Sequence, residues 1–171
     1  MKFVVKLPRA EVDVDDAKTA FFVIELSSRK ELPHSTYTLL TLVESKLYDD
    51  GVAFLSAHDD GSLRITSSDS PEKISLEQKL KPLGLTGGSS LSFIETTSSN
   101  KPLPCGDFSL GFIHRGPGLN IFLPGKDEDD DQDGCLAQVI RGQESLETIR
   151  SLLLETGEPT EIVSVKHLRV D

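Results

Sequence analysis

The side chains able to do chemistry are few in this chain, and their spacing excludes more than it admits. Four histidines stand at His34, His58, His114 and His167, with no two at the spacing that puts a pair of ligands on one helix face. A zinc site is therefore not expected. Residues 129–134, DDDQDG, place carboxylates at the first, third and fifth positions of a calcium loop and glycine at the sixth. The twelfth position, which requires a bidentate glutamate, is Ile140, so the stretch 126–134 is expected to be a solvated acidic loop. No Ser-His-Asp or Cys-His set and no phosphate-cradling glycine loop can be assembled. Cys105 and Cys135 are the only cysteines, and a single bridge or two small buried thiols are both open to them. Neither a metal nor a cofactor is expected.

Charge and length narrow the partners. A net charge of −10 repels nucleic-acid backbones and anionic membrane surfaces, so neither is an expected partner. The 171 residues are enough for one well-buried domain, expected to span 1–171. No apolar run is long enough to span a bilayer, and MKFVVKLPR is too short in apolar residues for a signal sequence, so a soluble domain without membrane insertion or a targeting segment is expected. The compartment and the oligomeric state stay open.

The elements that must position any site are mostly strands. Residues 110–125, LGFIHRGPGLNIFLPG, hold two short apolar runs around Gly116-Pro117-Gly118, a hairpin pattern. KFVVKL at 2–7 and AFFVIEL at 20–26 read as strands, the second with Phe22, Ile24 and Leu26 on one face and Phe21 and Val23 on the other. From Thr36 to Tyr48 the apolar residues Leu39, Leu42, Val43 and Leu47 recur at helical spacing, with Pro33 before them and Ser35 as the expected cap. VAFL at 52–55 is a strand in which Phe54 is expected to point inward. A short strand over 63–66 follows. Residues 67–104 are a loop-rich excursion broken by Ser, Thr, Pro and Gly, with a strand at 91–95 and a helical turn at 76–80. CLAQVIR at 135–141 is a strand, Ser145 is the expected cap of a second helix with Leu146, Ile149, Leu152 and Leu153 inward, and Gly157 is its C-terminal stop. A strand over 162–170 closes the chain. Two helices are too few for parallel crossovers, so the expected class is mainly β: a closed antiparallel barrel capped by two helices.

In their order, FFVIEL, LPHSTYTLLTLVESKLYDDGVAFLSA, FSLGFIHRGPGLNIFL and DGCLAQVIRGQESLETI resemble the cyclophilin family of peptidyl-prolyl isomerases over about residues 20–155, with 67–104 poorly matched. The most specific pieces are Leu136 to Gly142, similar to the family's Phe-Gly-Lys-Val strand, and the join from Tyr48 to Phe54. The resemblance implies a cyclophilin-like barrel with a groove on its wall for a proline in an extended protein or peptide segment. Rotation about an X-Pro bond needs no nucleophile, only stabilisation of the twisted imide, which the family supplies with an arginine in a Phe-His-Arg run. Here that run is Phe54-Leu55-Ser56.

Other departures agree. The family's Gln-Gly-Gly-Asp has no counterpart in 62–67, its Gln-Phe-Phe strand is replaced by Leu119-Asn120-Ile121-Phe122, and its Trp-Leu-Asp-Gly loop keeps only Asp133-Gly134. Arg64 is the next arginine, on a strand where it would need a register shift to serve. By two-residue alternation Ser56 shares a face with Phe54 and His58, opposite Leu55 and Ala57, and the bulk of Phe54 argues that this face is partly interior. The candidate groove residues implied by the resemblance are Phe54, Ser56, His58, Asn120 and Phe122. The expected function is a protein- or proline-peptide-binding or assembly module with lost or strongly reduced isomerase activity; the alternative is a divergent, active isomerase.

Overall fold

The computed structural model describes residues 1–7, 19–26, 32–49, 52–67, 105–113, 118–125 and 135–168. The expectations for 68–104, for the Gly116-Pro117 corner and for the acidic loop 126–134 lie outside these residues. Among the described residues, eight strands occur: β1 (Lys2–Lys6), β2 (Thr19–Leu26), β3 (Ala53–Ala57), β4 (Leu63–Ser67), β5 (Ser109–Phe112), β6 (Leu119–Ile121), β7 (Cys135–Arg141) and β8 (Thr160–Lys166). They close into a barrel in the order β1-β2-β7-β5-β6-β4-β3-β8, with every pairing antiparallel. Closure leaves no unpaired edge, which removes the surface on which sheets aggregate.

Alternation decides which side chains fill the barrel. In β4 the apolar Leu63 and Ile65 are fully buried while Arg64 and Thr66 lie between and beyond them. Ile65 pairs with Leu55 on one side and Leu119 on the other, and Leu119 pairs with Phe112, so one inward row crosses four strands. A second inward row runs Ala57, Leu63, Ile121, Leu110. On the far wall Phe3 and Phe22 are cross-strand partners whose rings stack at 4.8 Å. Stacked aromatic pairs contribute roughly 0.5–1.5 kcal/mol beyond their area.

Two helices cover this core. The first, α1 (Pro33–Glu44), lies against β8 and buries Leu39, Leu40, Leu42 and Val43. It begins with Pro33 in the first turn and Leu32 at the cap, so the expected Ser35 cap is a correction: Ser35 is inside the first turn and buried. Proline at the helix start has its fixed φ already suited to the turn and no N–H to satisfy, which moves the start upstream of Ser35. After the helix, Leu47 and Tyr48 are also buried, and loss of solvent raises the Tyr48 phenol above its ordinary pKa. Asp49 then accepts a hydrogen bond from the Val165 N–H at 2.7 Å, tying the helix exit to β8. No described helix is long and apolar enough to cross a membrane.

The second helix, α2 (Gln143–Thr156), packs on β2 and β3 and buries Leu146, Ile149 and Leu153, while Leu152 is half-buried. Its cap is Gly142, not Ser145, because β7 runs directly into the helix through a residue in the left-handed region, φ +83°. A Cβ at Gly142 would strike the Phe21 carbonyl oxygen and lie 2.8 Å from Phe22 Cα. Only glycine lets β7 turn this close to β2. Gly157 ends the helix as expected, at φ +68° with its N–H on Leu153 O at 2.9 Å.

Cys105 and Cys135 are disulfide-bonded with Cα atoms 5.2 Å apart, which settles the choice the sequence left open. The bridge joins the chain entering β5 to the first residue of β7, and a closed loop of this length restricts the unfolded chain by roughly 3–4 kcal/mol. Ser109 Oγ lies 3.2 Å from Cys135 Sγ, filling the space beside the bridge.

The tightest backbone approach gives a direct test. Gly142→Ala adds a left-handed penalty and a backbone clash, together roughly 2–4 kcal/mol of lost stability. Urea unfolding measures it, and a loss below about 1 kcal/mol contradicts the close packing of β7 on β2.

Candidate functional site

The outer wall of β3, β4, β6 and β5 is built by the residues left over once the inward rows are buried. Ser56 pairs with Arg64, Arg64 with Asn120, and Asn120 with Gly111, so these four form one outward row across four strands. The β3-β4 ladder is regular over all five pairs from Ala53↔Ser67 to Ala57↔Leu63. Arg64 thus stands directly opposite Ser56, on the neighbouring strand and not at the Ser56 position itself.

Phe54 requires a correction. It does not anchor β3 inward; Leu55 and Ala53 do, both fully buried, while Phe54 and Ser56 are half-buried on the outside. The reason is the neighbouring strand. VAFL offers an apolar residue to either face, but β4 can bury only its Leu63 and Ile65, and Leu55 is the partner of Ile65. Phe54 instead pairs with exposed Thr66 on β4 and with Glu161 on β8.

The β3-β4 turn holds the charged groups. Asp60 Oδ1 accepts from the Ser62 N–H at 2.9 Å and from Ser62 Oγ at 2.5 Å, and lies 3.5 Å from His58 Nδ1. Its other oxygen, Oδ2, accepts from Arg64 Nη2 at 3.4 Å. The turn closes through Gly61 N–H on His58 O and His58 N–H on Ser62 O, at 3.0 and 2.9 Å. Gly61 sits at φ +82°, and a Cβ there would lie 3.4 Å from Arg150 Nη2, which packs against the turn from α2. The Arg64 side chain keeps 28% of its surface, and its Nε is buried with no hydrogen-bond partner. Ser56 Oγ donates to the Arg64 carbonyl at a long 3.4 Å.

The five sequence-derived candidates therefore divide. Phe54 and Ser56 lie together on the outer wall, and His58, with 44% of its side chain exposed, stands at the turn beyond them. Asn120 shares the row of Ser56 but is fully buried, and Phe122, two positions on, is 5% exposed. Both faces of β5 and β6 are covered, so the open part of this wall is over β3 and β4. Sequence alone singled out no role for Asp60 and left Arg64 outside the groove. The available signal was the strict alternation of LRIT with a five-residue turn before it, which pairs position 56 with 64.

Chemically, the wall offers a guanidinium and a hydroxyl beside an aromatic ring. It suits hydrogen-bond acceptors on an extended chain. Among the described residues, no group of three His, Cys, Asp or Glu is placed to hold a metal ion.

The facing of β3 is testable by paired substitution. Leu55→Asn puts an amide into the barrel and costs about 4 kcal/mol or more, whereas Phe54→Asn keeps its amide hydrated and costs roughly 1–2 kcal/mol. Chemical denaturation compares the two, and a larger loss at Phe54 reverses the assignment of faces. No family model matches the chain, and no curated protein matches it.

Proposed function

We propose that the chain is a cyclophilin-like module that binds an extended, proline-containing segment of a protein on the outer wall of β3 and β4, with lost or strongly reduced isomerase activity. Support for the fold half of this reading comes from the closed antiparallel barrel and its two helices, in the element order that the resemblance implies. The observation on which the functional half rests is Ser56, the residue that the resemblance aligns with the family's arginine: it lies on the outer wall, with a short hydroxyl bonded to backbone. Such a side chain cannot follow the twisting imide. Asn120 and Phe122 are covered, which removes two further groups from the open surface.

One observation favours the second reading, a divergent isomerase. Arg64 stands one strand away from Ser56 on the same face. A guanidinium displaced by even about an ångström loses much of its effect on a transition state, so catalysis from Arg64 is expected to be weak.

A proline-peptide isomerisation assay separates the readings. The parent is expected to give no acceleration above the uncatalysed rate while still perturbing backbone resonances of β3 and β4 on peptide addition. Ser56→Arg should not restore turnover, because the new guanidinium faces Arg64 directly across the ladder. Clear turnover in the parent, lost in Arg64→Ala, would establish the divergent isomerase instead.

A further inference from the structure

Within β3, β4, β5 and β6, Arg64 is the only residue with an ionisable side chain. Its surroundings on the row and beside it are neutral: Ser56, Asn120, Thr66 and Phe54. Among the described residues its carboxylate contact is Asp60 Oδ2, at 3.4 Å longer than the roughly 2.7–2.9 Å of a strong charge-assisted bond. Nε is buried without a hydrogen-bond partner, so the donors open to a ligand are those of the two Nη groups on the partly exposed side chain. The guanidinium thus retains donor capacity while its charge is already balanced by Asp60.

That balance determines which acceptors it suits. An anionic ligand meets a chain of net charge −10 and, at the site itself, the Asp60 carboxylate. A neutral carbonyl meets neither penalty and still receives the guanidinium's N–H groups. Resting on the peptide-binding reading above, we infer that Arg64 is the ligand-contacting donor of this wall, and that Asp60 makes it selective for uncharged backbone carbonyls over carboxylates and phosphates. Asp60 acts here through Arg64, as a positioning and charge-balancing group.

The test uses the full chain and two probes: an acetylated, amidated peptide with a central Ala-Pro and no charged residue, and the same peptide with glutamates flanking that pair. Titration followed by backbone NMR gives affinities for the parent, Arg64→Gln, Arg64→Lys and Asp60→Asn. The parent is expected to bind the neutral peptide about tenfold more tightly than the acidic one, a difference of the size that like-charge repulsion near a protein surface supplies. Its affinity for the neutral peptide should change less than about twofold between low and physiological salt. Arg64→Gln should weaken neutral-peptide binding about tenfold, and Arg64→Lys, which keeps charge but loses the planar fork, should weaken it nearly as much. Asp60→Asn keeps an acceptor for Ser62 and should bring acidic-peptide affinity at least threefold closer to that of the neutral one, with new salt dependence. Neutral binding unchanged in both Arg64 variants overturns this inference alone, as does a parent that prefers the acidic peptide. Binding of neither peptide to the parent overturns the binding-module reading together with it.

Discussion

Leu63 and Ile65 can both be buried only if Arg64 points outward, and most of the molecule's outer chemistry depends on that alternation. In an open sheet a strand can slip by one residue at the cost of its own side chains. In a closed barrel it cannot: β4 is paired with β3 and β6, and each of these with a further strand. A slip would turn Leu55, Leu119, Phe112 and their row outward together. Burying those side chains contributes on the order of 1.5–3 kcal/mol each, far more than any outward contact could return. The row Ser56, Arg64, Asn120 is thus set by what lies behind it.

The same logic explains why the outer wall is chemically modest. The Arg64 and Asp60 contact is partly exposed and long, a pair of the kind that contributes little to stability. The turn under it is held instead by Asp60 on Ser62 and by backbone bonds. Stability resides in the barrel interior, in the Gly142 crossing beneath α2 and in the bridge from Cys105 to Cys135. A wall that contributes little to folding is free to vary at Ser56 without cost to the fold.

The strongly periodic parts were legible in the sequence. The α1 stripe of Leu39, Leu42 and Val43, the antiparallel pairing of the two apolar runs in 110–125, the Gly157 stop and the barrel class all followed from spacing and turn chemistry, whereas Leu47, expected on the same helix, is buried beyond its end at Glu44. Phe54 was not legible, because Val52 to Leu55 is apolar at every position and only the partner strand decides its phase. Ser35 and Ser145 were plausible caps by type, but Pro33 and Gly142 start their helices earlier through backbone geometry. The disulfide needed a distance, and spacing alone carries none. Arg64 and Asp60 were missed together, since the meaning of each comes from a register that requires counting the turn between them.

Cross-strand backbone NOEs through β3, β4 and β6 test the central claim most directly. The register described here places Ser56 opposite Arg64 and Arg64 opposite Asn120, and NOEs connecting these pairs, with Leu55 to Ile65 and Ile65 to Leu119 alongside, are the expected result. NOEs that pair Leu55 with Arg64 would put the guanidinium inside the barrel's row and remove the outer site altogether.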